Sequence, residues 1–283
     1  MNKRVRHVIA ALVALLGGAA AVAAPPRRIV SLNLCTDQLV LALADRGQIA
    51  ALSRNATDPA MSAAAAQARG LRRLSDAVEQ VLAIDPDLVV GASPARAALL
   101  AQLGGRPVRA LDLSYAQSYA DIVAQIRAMA EAVGHADRGA ALVARMDAAL
   151  AHLPQVGAGR IAADYQRRGY LTGTGTLVDE LMGRVGLVNL ARRLGKPALA
   201  QVSLEAMVAA QPDYLIVARG SAHVADQGTE MLHHPALAGI PRLYLPEAWT
   251  VCGGPAYVDA AWSLARQIEG RRTPHQKATR TPP

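Results

Sequence analysis

Short β-rich runs alternate with stretches of helical period along most of this chain. Residues 28–32 (Arg-Ile-Val-Ser-Leu) form the first run, 36–44 carry a helical pattern, and 49–53 form a second run. Leu88-Val89-Val90, opened by Pro86-Asp87, is a continuous apolar strand of the type buried on both faces, and 107–111 is the next strand. A helix is predicted over 119–133, broken by Gly134. From 136 to 153 the residues Leu142, Met146, Leu150 and Leu153 make one apolar stripe at helical spacing, ended by Pro154. A helix of that length spans about 27 Å, enough to connect two lobes rather than close a hairpin. The pattern then starts again, with strands at 160–165, 214–217 and 243–245 and helices at 176–185 and 256–268. Strands alternating with helices predict an α/β fold with parallel sheets covered on both faces. The expected division is an N-terminal lobe at 25–135, an interlobe helix at 136–153 and a C-terminal lobe at 154–270.

The two halves echo each other in detail. Ser75-Asp-Ala-Val-Glu79 precedes Pro86-Asp87 and a buried strand, and Val202-Ser-Leu-Glu205 precedes Pro212-Asp213 and another, Tyr214 to Val217. Each Glu therefore lies seven residues before a Pro-Asp that opens a hydrophobic strand. A Glu near a helix start is favoured by the helix dipole, which accounts for each glutamate singly but not for the identical spacing.

Charge changes little in this picture once it is located. The chain has 30 Lys+Arg against 22 Asp+Glu, a formal net charge of +8. Lys3, Arg4 and Arg6 sit in the first six residues, and Arg271, Arg272, Lys277 and Arg280 in the last thirteen. The body between holds 23 basic and 22 acidic residues, without the clustered excess that a phosphate-binding face needs. Nucleic acid is thus excluded as the expected partner. Residues 1–24 read as a cleavable export signal: a basic start, the apolar run Val8 to Leu16, and small residues ending Ala21-Val22-Ala23-Ala24. Later in the chain no window of about 20 residues is continuously apolar, so the mature protein is expected to be soluble, exported to the periplasm and not membrane-spanning. The tail, 271–283, is rich in Thr and Pro and is expected to be disordered.

Signs of catalysis are weak. Gly173-Thr-Gly175-Thr-Leu-Val178 is similar to a dinucleotide-binding loop but has Val178 where the third glycine belongs. Neither an HExxH nor a GxSxG motif occurs. His233-His234 precedes Pro235 and reads as a helix start rather than a metal pair. With seven histidines and no His-rich loop, a zinc-capturing protein is not expected. No enzyme, intrinsic cofactor or bound metal ion is expected.

The sequence resembles the periplasmic substrate-binding proteins of ABC importers, in the subgroup that handles ferric siderophores, cobalamin or haem. The matching pieces are Arg28-Ile-Val-Ser-Leu, the two Glu-x6-Pro-Asp units, Gly186-Leu-Val-Asn189, and the stretch from Leu237 to Tyr244 with Gly239 and Pro241. The resemblance implies two Rossmann-like lobes joined by one long helix, a metal chelate held in the cleft between them, and a monomer that hands this cargo to a permease dimer. It gives Glu79 and Glu205 the role of docking to the two permease subunits. It also places the ligand at loops after strands: Asn33, Leu34, Cys35, Thr36, Arg54 and Tyr115 in the first lobe, and Tyr165, Tyr170, Arg219, Trp249, Cys252 and Gly253 in the second. Among these, Trp249 is the strongest candidate, as an aromatic in a loop that reads as too polar for core. The cobalamin-binding member carries aromatics where this chain has Ala92 and Leu199, and a catecholate siderophore calls for converging positive charges, for which only Arg54, Arg96 and Arg219 are placed. Haem usually takes an axial Tyr or His, for which Tyr115, Tyr165 and Tyr170 are candidates. Cys35 and Cys252 both fall in these cleft loops. In an oxidising compartment an even pair reads most simply as a disulfide; two free thiols beside the ligand are the alternative.

Overall fold

Each half of the chain builds one four-stranded, all-parallel sheet, as seen in a computed structural model that describes residues 24–75, 78–91, 98, 100–102, 104–105, 108–224 and 226–271. All of the expected export signal except Ala24, and all of the basic tail except Arg271, lie outside the described residues, as do Ala92 and Arg96. In the first half, β1 (Ile29–Ser31), β2 (Ile49–Ala51), β3 (Leu88–Val90) and β4 (Arg109–Leu111) assemble in the order β2-β1-β3-β4. In the second, β5 (Ile161–Asp164), β7 (Val188–Asn189), β9 (Tyr214–Ala218) and β10 (Arg242–Leu245) assemble in the order β10-β9-β5-β7. The central strands β1 and β3 are buried at every residue, as the unbroken apolar run of β3 requires, and the buried Ser31 of β1 bonds the Thr36 hydroxyl. A small antiparallel ribbon, β6 (Tyr170–Thr172) with β8 (Leu199–Gln201), was not foreseen from the sequence.

Helices cover the sheets. They are α1 (Leu34–Leu43), α2 (Val78–Ile84), α3 (Tyr119–Ala132), α4 (Ala136–Ala151), α5 (Leu177–Arg184), the single turn α6 (Leu190–Arg193), α7 (Leu204–Ala210) and α8 (Ala256–Gly270). The predicted connector is α4. It buries Leu142, Val143, Met146 and Leu150, so the stripe read from the sequence is its packed face. It lies against α3 of the first half and α8 of the second, and the Trp262 indole of α8 donates to the Ala149 carbonyl at 3.2 Å. One buried cluster runs from Ile29 and Leu39 through Ile122, Ile126 and Met146 to Leu181, Tyr257 and Leu264. The halves thus share a core on the helix side, which limits how far they can move relative to each other.

The internal echo proves to be structural. Glu79 is the second residue of α2 and Glu205 the second residue of α7. Asp85 and Gln211, the residues before the two prolines, both adopt positive φ, at 53° and 43°, a conformation uncommon outside glycine. The two aspartates that follow do the same work: Asp87 accepts from the Arg27 and Arg28 amides (2.7 and 2.9 Å) at the foot of β1, and Asp213 from the Ile161 amide (2.7 Å) at the foot of β5. In each half the Pro-Asp turn therefore ends a helix, reverses the chain and fastens the incoming strand to its neighbour. This accounts for the constant spacing between Glu and Pro-Asp.

The glycine loop at 173–178 is a turn and helix start. A Cβ on Gly173 would come within 1.6 Å of the Pro197 carbonyl oxygen, so only glycine permits that backbone contact. Thr176 caps α5 by accepting from the Asp179 amide (3.2 Å), and Asp179 takes up the Gly175 amide (3.1 Å). That occupied amide is unlike a phosphate cradle, whose N–H groups face the ligand. His234 likewise caps the short turn Pro235–Leu237, accepting from the Ala236 amide at 3.2 Å.

Candidate functional site

The carboxyl ends of the strands in both sheets open onto one interlobe cleft, the usual ligand position in open α/β sheets. Two adjoining cavities occupy it. The larger, about 440 Å³, is walled by Tyr115, Ala116 and Gln117 from the first lobe and mostly by second-lobe residues, including Asp164, Thr172, Ser221, Glu247 and Thr250. The smaller, about 240 Å³, is lined by Asn33, Cys35, Thr36, Gly91, Asp112, Ser114 and Gln125. Tyr115, Ala116 and Gly253 line both. The larger cavity alone falls within the usual size range of small-molecule sites. Tyr115 is the most exposed large hydrophobic side chain at the site, at 80 %.

Between the lobes stands a disulfide. Asn33 caps α1 by accepting from the Cys35 and Thr36 amides, both at 3.0 Å, and so fixes Cys35 in the first helical turn. Cys252 lies in the loop between β10 and α8, and the two are bonded with their Cα atoms 5.2 Å apart. The pairing favoured from the sequence is present, and the free-thiol alternative is not. Next to it, a Cβ on Gly253 would meet the Ala116 Cβ at 2.4 Å. A bulkier residue there would force the loop away from the first lobe.

Residues expected at the ligand divide into two groups. Asn33, Cys35, Thr36, Tyr115 and Gly253 line the cavities. Thr36 is buried and hydrogen-bonded to the Ser31 hydroxyl at 2.8 Å, so it holds the loop as well as lining it. Tyr165 is in the wall, but it is fully buried and its hydroxyl donates to the Val202 carbonyl at 3.1 Å. Burial, with the Glu205 charge adding, pushes that phenol up to about 12. Leu34, Arg54, Tyr170, Arg219 and Cys252 do not line either cavity. Trp249 does not either. It packs half-buried against the main core, so a loop that reads as polar nevertheless turns its indole inward while Glu247, Thr250 and Val251 face the cavity.

What the sequence reading missed is a set of acids. Asp112 directly follows β4, Asp164 ends β5 and Glu247 lies two residues past β10, each at a strand's carboxyl end. That placement is readable from the strand ends, but the resemblance points to aromatics and arginines there rather than to acids. Asp164 is almost wholly buried. Desolvation raises its carboxyl above the ordinary range, and donation from the Thr172 hydroxyl and the Gln166 amide (3.4 Å) holds it partly back. Among the described residues, no group of three or more His, Cys, Asp or Glu side chains is placed to hold a metal ion.

A second interlobe contact lies beside the cleft. The Tyr119 amide, opening α3, donates to Glu180 of α5 at 2.5 Å, and its hydroxyl donates to Asp147 of α4 at 2.7 Å. Its ring stacks on Tyr257 of α8 at 5.6 Å. The Arg184 guanidinium covers both rings, at 4.8 and 5.7 Å, and bonds the Tyr257 hydroxyl and Glu180, both at 2.9 Å. Residues of both lobes and the connecting helix meet in this one cluster.

Glu79 and Glu205 are both exposed, at matching helix starts in the two halves. The Glu205 carboxyl is held below its ordinary value by hydrogen bonds from its own amide and the Ser203 hydroxyl, with His234 assisting. It stays charged on the surface.

Solved structures share this arrangement. The periplasmic haem-binding protein RhuT from Roseiflexus sp. RS-1 is 23 % identical, with a TM-score of 0.65 over 86 % of this chain and 99 % of its own. An Fe3+-hydroxamate transport protein from Saccharomonospora viridis is 19 % identical, at 0.64 over 86 % and 93 %. The vitamin B12-binding protein BtuF of Vibrio cholerae is 18 % identical, at 0.61 over 88 % and 99 %. No curated protein sequence matches the chain. The family profile described as "Periplasmic binding protein" matches residues 29–242. The chain belongs to the periplasmic binding protein family.

Proposed function

We propose that this protein is an exported receptor that captures a metal chelate between its lobes and delivers it to an inner-membrane ABC importer. The observation that carries the reading is the pair of exposed glutamates, Glu79 and Glu205, at equivalent positions of equivalent helices in the two halves. Two separated negative charges in matching settings suit a partner that is itself a near-symmetric dimer with complementary positive charge. Such charges steer encounter and fix orientation more than they raise affinity. The cleft between the same two halves supplies the cargo site, and similar folds are named for haem, Fe3+-hydroxamate and vitamin B12. In this reading residues 1–24 direct export and are removed, and the mature lobes work as a monomer.

Docking and capture separate cleanly by experiment. Replacing Glu79 and Glu205 together by Ala is expected to lower chelate uptake in cells by about tenfold or more, since each loses a rim charge that sets the association rate. Chelate affinity of the purified variant is expected to match the wild type, because neither residue lines the cleft. Unchanged uptake would remove the docking role.

A further inference from the structure

The charges facing the cleft are one-sided among the described residues. Asp112 comes from the first lobe and Asp164 and Glu247 from the second, where their two strands flank β9 in the sheet. The side chains of Asp112 and Glu247 are exposed and have no hydrogen-bond or ion-pair partner among the described residues. Among the described residues a single base, Arg167, is in the wall, and it is already committed: its guanidinium bonds Asp226 at 2.8 Å and lies against Gly228. Of the three bases expected to receive an anion, Arg54 and Arg219 are exposed and do not line either cavity, and Arg96 lies outside the described residues. The remaining polar groups, Gln117, Gln166, Thr172, Thr176, Ser221 and Thr250, offer neutral donors and acceptors.

Building on the capture reading above, we infer that the cleft takes a metal chelate without net negative charge, neutral or cationic, with Asp112 and Glu247 as the groups that set this preference. A ligand bound there sheds water, so each uncompensated like-charge contact acts in a medium of lower dielectric than bulk solvent. An anionic chelate would face carboxylates from both lobes and, among the described residues, find no free cation lining either cavity to offset them. A cationic chelate would gain from the same groups. A neutral one would bind through the uncharged donors and the exposed Tyr115 ring. Discrimination of this kind rests on repulsion of the wrong ligand as much as on attraction of the right one.

A charge-graded set of probes tests this: ferrioxamine B (a monocation), ferrichrome and cyanocobalamin (both neutral), haemin (anionic through its propionates) and a trianionic ferric tris-catecholate. Calorimetric titration of the mature protein is expected to give binding for at least one of the first three, at least about a hundredfold tighter than for either anion. The Asp112→Asn/Glu247→Gln double variant, both positions being exposed, is expected to narrow that gap by about tenfold. Tighter binding of haemin or the tris-catecholate would overturn the charge preference and leave capture standing. A gap unchanged in the double variant would overturn the role of these two carboxylates. Binding of none of the five would overturn the capture reading, and this inference with it.

Discussion

The Cys35→Ser/Cys252→Ser variant is expected to unfold with about 5 kcal/mol less free energy at the chain-entropy limit. The bridge spans a sequence separation of 217 residues, so cutting it frees nearly the whole unfolded mature chain. For a chain of this size, each kcal/mol moves the melting midpoint by about 2–4 °C, and a fall on the order of 10 °C is expected. Thermal unfolding of the exported protein with and without reductant reads the same effect without mutation. The loss should appear in the unfolded state and leave the folded spectrum unchanged, because both cysteines sit in backbone fixed by other means. Asn33 caps the turn that carries Cys35, and Gly253 beside Cys252 abuts Ala116. Equal midpoints in both conditions, with two free thiols by mass, would contradict it.

Tyr257→Ala carries the second large effect. Its ring is 1 % exposed, stacked on Tyr119 and covered by Arg184. Truncating a buried aromatic costs about 3–5 kcal/mol through lost transfer energy and the cavity left behind. Tyr257→Phe keeps the ring and removes only the hydroxyl that Arg184 bonds at 2.9 Å. That change is expected to cost about 1.5–3 kcal/mol, the net worth of a hydrogen bond to a charged group. Urea unfolding of both variants separates packing from hydrogen bonding. Equal costs for Ala and Phe would mean that the stacked ring contributes nothing.

The fold was largely legible because its strands and helices each carry their own period. The β-rich run at 28–32, the apolar run Leu88 to Val90, and the stripe at Leu142, Met146 and Leu150 mark elements that their own pattern reveals. The ribbon of β6 and β8 was not legible. Its strands have three residues each, and their pairing depends on contacts across about thirty residues of chain. Asn33, Cys35, Thr36, Tyr115 and Gly253 line the cavities from loops after strands or at a helix start, positions that the sequence pattern marks. Trp249 turns inward for a physical reason: the 3-10 turn at Glu247–Trp249 sends Ala248 and Trp249 toward the interior while Glu247, Thr250 and Val251 face the cavity. No polarity count over a loop reveals that split. The acids were visible as residues, but their gathering on one cleft is a property of the fold alone.

The central claim is that cargo is held between the lobes, and Tyr115 tests it most directly. It lines both cavities, is 80 % exposed and belongs to neither the core nor the disulfide. The measurement is calorimetric affinity of wild type and Tyr115→Ala for ferrioxamine B, ferrichrome and cyanocobalamin, with the melting midpoint recorded alongside. Loss of an aromatic anchor in a ligand cleft is expected to cost at least about 1.4 kcal/mol, a tenfold weakening, at an unchanged midpoint. Undiminished affinity for a chelate that the wild type binds would contradict capture in this cleft.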